Sequence, residues 1–214
     1  MRSMMLVSLL LCGCGRSDLT DDVPQRLPQP VTACESTCAA APPGVVTPLN
    51  DTEGPPLHWL TCAGCVRVTV DEALPAAFVA RAPELVRAWA DAAGPTLCLA
   101  FDAAPASPPG GDTLQQLHLA PRKSAEGPAQ ITSVTFDVKT GRIRNATVEV
   151  SDGVAVDRQL VFGLGQALGL SSSRADERSA MTPRLERGLT RPGPDDTATL
   201  RAMYGDEQPW CERP

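Results

Sequence analysis

From Val66 onward the chain switches repeatedly between two hydrophobic periods. Val66-Arg-Val-Thr-Val70 is apolar at every second position, which predicts a half-buried strand. Ala80 to Ala93 carries Val86, Trp89 and Ala90 on one helical face, and Gly94-Pro95 then breaks the chain. Thr96 to Phe101 and Leu114 to Leu119 predict two further strands, the first holding Cys98 and the second His118, with a loop over Pro105 to Gly111 between them. Gln130 to Val138 and Arg142 to Val150 predict another two, joined by a Lys139-Thr-Gly141 turn. Leu160, Leu164, Ala167 and Leu168 fall at i, i+4, i+7 and i+8, one stripe of an amphipathic helix. Asp157 is placed to cap its start, and Gly169 to end it in the left-handed conformation. A last helix is predicted from Pro194, with Asp195 and Asp196 in its first turn and Gly205 just past its end. Thr197, Leu200, Met203 and Tyr204 form its apolar side. About five strands and three helices make an α+β domain.

The first 56 residues have a different texture. Arg2 followed by the apolar run Met4 to Leu11 reads as a short export signal over residues 1–14, too short to span a bilayer. It ends in Leu11-Cys12-Gly13-Cys14, which resembles a bacterial lipobox and makes Cys14 the candidate lipidated residue. Cys12 fits that role worse, and a plain secretory signal is the alternative. Gly15 next to Cys14, in place of Asp, favours the outer membrane over the inner one. Residues 15–56 are Pro-rich and polar and read as a tether; residues 57–214 form the domain. Asp18, Asp21 and Asp22 read as a solvated cluster. The net charge of −6 argues against nucleic acid, and aromatics at 4% argue against a sugar-stacking platform. The expected partners are a membrane, through the lipid, and an unknown protein or peptide.

Six cysteines remain for the mature chain: Cys34, Cys38, Cys62, Cys65, Cys98 and Cys211. An even number in an exported protein favours disulfides, with 15 possible connectivities. Pro209-Trp210-Cys211 then reads as a tail pinned back by one of them. Two competing readings are a four-thiolate zinc knuckle from Cys34, Cys38, Cys62 and Cys65, and a redox pair at Cys62-Ala-Gly-Cys65.

Three fragments of the last third carry a family resemblance. They are Gly165-Gln-Ala-Leu-Gly-Leu170, Ser179-Ala-Met-Thr-Pro183, and Asp195-Asp196 with Leu200 and Tyr204-Gly205. In this order and spacing they resemble the matrixin branch of the metzincin zinc proteases. That family reads H-E-x-x-H-x-x-G-x-x-H on its active-site helix, followed by a Met-turn. Gly141-Arg-Ile-Arg-Asn-Ala146 resembles the strand pair before that helix. The resemblance covers roughly Trp59 to Gly205. It implies a metzincin-like fold: a twisted mixed sheet of about five strands, a first helix, a former active-site helix, a Met-turn at Met181 and a C-terminal helix. It also implies that one strand forms an edge able to hold an extended peptide. The alternative is an edge blunted by Arg142, Arg144 and Glu149.

The departures from the pattern decide the expected function. In the family register the zinc ligands fall on Phe162, Gln166 and Ser172, and the catalytic glutamate on Gly163. Zinc catalysis needs about three protein ligands, an open position for water and a carboxylate base. Phe162 cannot ligate and Gly163 has no base to offer. Phe162 is expected to fill the former metal space with its ring. The chain's two histidines, His58 and His118, lie far upstream, and His58 reads as a surface or cap residue. No catalytic, cofactor-binding or metal-ligating residue is therefore assigned, and no zinc is expected. A structural calcium ion stays open, since matrixins often carry one on loops. The expected protein is an inactive matrixin-like envelope lipoprotein that acts by binding or structurally. The alternative is a hydrolase with a non-standard site, built from thiolates and His118, or from Ser171 to Ser173 with Asp176 and Glu177 and a base such as His118.

Overall fold

Alternation along five short segments builds one twisted sheet. In a computed structural model, which describes residues 55–123, 128–152, 155–173, 178–183 and 188–204, the strands are β1 (Val66–Val70), β2 (Leu99–Pro105), β3 (Gln116–Pro121), β4 (Gln130–Phe136) and β5 (Ile143–Val150). Their order across the sheet is β2-β1-β3-β5-β4. β1 pairs in parallel with β2 and β3, and β3 with β5; β4 runs antiparallel to β5 and forms the far edge. The helices are α1 (Ala76–Ala93), α2 (Val156–Ala167) and α3 (Pro194–Tyr204). Among the described residues no helix is long and apolar enough to cross a membrane. The signal, Cys14, Cys34, Cys38, the Asp18 to Asp22 cluster, Asp176, Glu177, Gly205 and the Trp210-Cys211 tail lie outside the described residues.

Register assigns the two faces. Val68 pairs with Leu117, and Val70 with Leu119; Leu117 pairs in turn with Ala146, and Leu119 with Val148. Paired residues share a face, and Val148 abuts Gly163 of α2, so this apolar set is the core face. Thr69, His118 and Thr147 form the next row on the opposite face.

Several element boundaries differ from the sequence-based expectations: β2 runs on to Pro105, into the expected loop, β3 runs to Pro121, and β4 stops at Phe136 instead of Val138. α1 begins at Ala76, behind Pro75, so Phe78 joins Ala82, Leu85, Val86 and Trp89 in the core, while Ala90 is only half-buried. β2 begins at Leu99 because the chain needs Gly94 to Cys98 to turn back, with Leu97 buried on the way. β3 begins at Gln116, because Gln115 has a left-handed backbone (φ 56°) that leaves Leu114 outside the ladder.

α2 starts after Ala155, one turn position before Asp157. Asp157 therefore does not cap the helix. Its carboxylate instead makes a two-pronged pair with Arg81 of α1, at 2.7 and 2.9 Å. Gly169 follows the helix end at φ 95°, and a Cβ there would lie 2.1 Å from the Leu57 carbonyl oxygen. Both conformation and space require glycine.

Candidate functional site

The positions singled out on α2 rest on a closely packed support. Trp89 donates from Nε1 to the Val161 carbonyl (3.1 Å), and Trp59 donates from Nε1 to that of Ala167 (2.8 Å). Gln159 is fully buried and ties α2 to the end of β5 through two amide bonds with the Ser151 backbone, both 2.8 Å. Met181 is fully buried beneath Gly165: a Cβ at that glycine would meet Met181 Sδ at 2.3 Å and the Trp89 ring at 2.8 Å. The absence of a side chain at Gly165 lets the two segments approach.

The turn that carries Met181 is held from both sides. Asp196, fully buried on α3, accepts from Ser179 Oγ (2.5 Å), Ala180 N (2.6 Å) and Gly193 N (2.8 Å). Burial pushes its carboxyl upward from the usual range, and these three donors pull it back. From α2, buried Arg158 donates to the carbonyls of Ala180, Thr182 and Leu189. Ser173 N donates to the Met181 carbonyl at 2.7 Å. Arg158 was not singled out from the sequence. Its signal was a basic residue in the first turn of a helix that is otherwise almost entirely apolar beyond Gln159.

The four register positions do not assemble a site. Phe162 is buried at 8% exposure, Gln166 is half-buried and Ser172 is exposed. At Gly163 a Cβ would lie 2.4 Å from Val148 Cγ1 and 2.9 Å from Gln130 Nε2. The space for a side chain is taken from the sheet side. A phenyl ring, a hydrogen, an amide and a hydroxyl supply neither imidazole nor carboxylate, so these residues do not fit a zinc ion. Among the described residues, no three His, Cys, Asp or Glu side chains gather where they could hold a metal.

His118 stands on the opposite face of the sheet from α2, so it cannot serve as base for Ser171 to Ser173 beyond that helix. It is fully buried, its Nδ1 lies 2.9 Å from Thr69 Oγ1, and its Nε2 lies 3.6 Å from Asp71 Oδ2. Gln116 Nε2 donates to Thr69 Oγ1 at 3.0 Å. His58 is no surface residue: it is 3% exposed and donates from Nδ1 to the Pro56 carbonyl at 2.9 Å.

Cys65 and Cys98 form a disulfide that joins the starts of β1 and β2. Cys65 is thus unavailable to a four-thiolate knuckle or to a redox pair with Cys62, whose backbone lies in the short 3-10 turn Thr61–Ala63. Fixing this pair reduces the 15 connectivities of six cysteines to three.

The sheet edges answer the question of blunting charges. Arg142 precedes β5, and Arg144 and Glu149 lie on it, yet β5 is an interior strand. The true edge, β4, reads Gln-Ile-Thr-Ser-Val-Thr-Phe, with no charge, proline or glycine. Ser151 N bonds the Ala129 carbonyl, and this phase continues along the antiparallel ladder. Ile131, Ser133 and Thr135 therefore face β5 with their main-chain groups, while Thr132 and Val134 direct theirs outward. The other edge, β2, carries Asp102 paired with Arg67, a register shift and a terminal Pro105. Compared with protein-family models and with curated proteins, the chain matches none of them.

Proposed function

We propose that this chain is a non-catalytic, matrixin-like binding protein of the bacterial envelope, exported and anchored by lipid at Cys14, with the outer membrane as its seat. It holds an extended peptide segment by adding it to β4. The observation that carries this reading is the bare edge of β4, uncharged over seven residues, beside a helix whose register positions hold no ligand set. An unprotected edge offers main-chain donors and acceptors to a partner strand. The three motif fragments support the family reading through their placement: the Met181 turn packs under Gly165, and Asp196 of the last helix holds that turn.

The test is a display screen of random peptides against the full chain, followed by hydrogen exchange. Selected peptides should protect the Thr132 and Val134 amides. Val134→Pro removes an outward donor without removing a ladder bond and should abolish binding while the fold persists. Peptide binding that ignores Val134→Pro would overturn the role of this edge. Chelator-sensitive peptidase activity that scales with protein concentration would overturn the non-catalytic reading.

A further inference from the structure

A second surface, separate from α2 and from the open edge of β4, lies where β3 and β5 begin. It is a small groove lined by Leu60, Ala63, Leu114, Gln115, Arg142 and Ile143. Leu114 is 46% exposed, one of only two large hydrophobic side chains so exposed among the described residues. The next residue, Gln115, holds φ 56°, a conformation that disfavours residues with a Cβ. Three bonds enforce it. Gln115 N donates to Arg144 O (2.8 Å), its carbonyl accepts from Arg67 N (2.8 Å), and its side-chain amide donates to Leu60 O (2.6 Å). The strain is therefore fixed by the fold, and it presents Leu114 at the groove instead of in the β3 ladder.

The charged member of the lining is Arg142. Its side chain is half-buried, and among the described residues no carboxylate pairs with it. Burial lowers the neighbouring His58 imidazole from its usual range, the positive charge of Arg142 adds to this, and an imidazole in either protonation state offers Arg142 no negative charge. A guanidinium beside aliphatic walls is complementary to a carboxylate attached to an apolar group. The groove encloses about 180 Å³, room for about one side chain, and Arg142 is part of its lining. The C-terminal residue of a polypeptide presents an apolar side chain and a carboxylate on one Cα. A long acyl chain would need a longer trough than six residues enclose.

We infer that this groove captures the free C-terminus of a partner polypeptide with an apolar last residue, its side chain against Leu60, Leu114 and Ile143 and its carboxylate on Arg142. The test is calorimetric titration of the full chain with the peptide acetyl-Ser-Gly-Val-Leu, as the free acid and as the C-terminal amide, with octanoate as a third ligand. The acid should bind saturably and the amide about tenfold or more weakly. Arg142→Gln should erase the difference between acid and amide. Leu114→Glu, at an exposed position, should abolish binding with the melting curve unchanged, and Val134→Pro should leave binding intact. Equal affinity for acid and amide, no binding of the acid by the wild-type chain, or saturation by octanoate without peptide binding would each overturn the assignment.

Discussion

His58 and His118 are both buried, and burial holds each imidazole below its usual range. For His118 the Asp71 carboxylate opposes this, and burial is the larger effect. The unfolded chain, with ordinary imidazoles near pH 6.5, therefore binds more protons than the fold on acidification. Stability should be constant above about pH 6.5 and fall as the pH drops from there toward the lowered folded values. Urea midpoints from pH 8 to 5 measure the slope, and His118→Gln should flatten it. Glycine gives the second residue-scale prediction. Replacing a helical Gly by Ala gains roughly 1 kcal/mol of propensity, but Gly165→Ala drives a methyl into Met181 and Trp89, where overpacking costs about 1–3 kcal/mol. The clash should win, with a lowered melting temperature. Gly163→Glu should destabilise more, since Val148 and Gln130 occupy its space. These close approaches were illegible in the sequence, where Gly163 read as a lost base and Gly165 as part of a motif. Gly169 was legible because chain termination and left-handed geometry coincide there.

At the scale of elements, α3 serves as a prop for the Met181 turn. Asp196→Ala would leave Ser179 Oγ, Ala180 N and Gly193 N without their shared acceptor. An unmet buried donor costs about 1–3 kcal/mol, so the loss should reach about 3 kcal/mol or more in denaturant titration. The turn should loosen first, visible as faster amide exchange at Ala180 and Gly193. Periodicity and turn signals together located the three α-helices and five strands among the described residues, with shifted ends, and missed the short 3-10 turn at Thr61–Ala63. They could not rank the strands across the sheet. β4 and β5 have similar patterns, and only long-range pairing with β3 makes β5 interior and moves its charges away from the edge. The cap assigned to Asp157 went astray for the same reason: Arg81, 76 residues earlier, claims that carboxylate.

For the molecule as a whole, the Cys65–Cys98 bridge closes a 33-residue separation that contains β1 and α1. Loop-closure entropy predicts about 3–4 kcal/mol from such a bridge. The paired change Cys65→Ser, Cys98→Ser should cost about that much, less any strain released, as read by urea unfolding against the unaltered chain. Its effect should be largest at β2, which pairs only with β1. That strand is also the defended side of the sheet, with its Arg67–Asp102 ion pair, its register shift and Pro105. Among the described residues, β4 is the border that carries neither charge nor proline. Two copies that join through this side consume each other's open edges, and nothing remains for a third. Self-association through β4 would then close at a pair, and the asymmetry of the two borders would keep this strand from seeding an endless fibre.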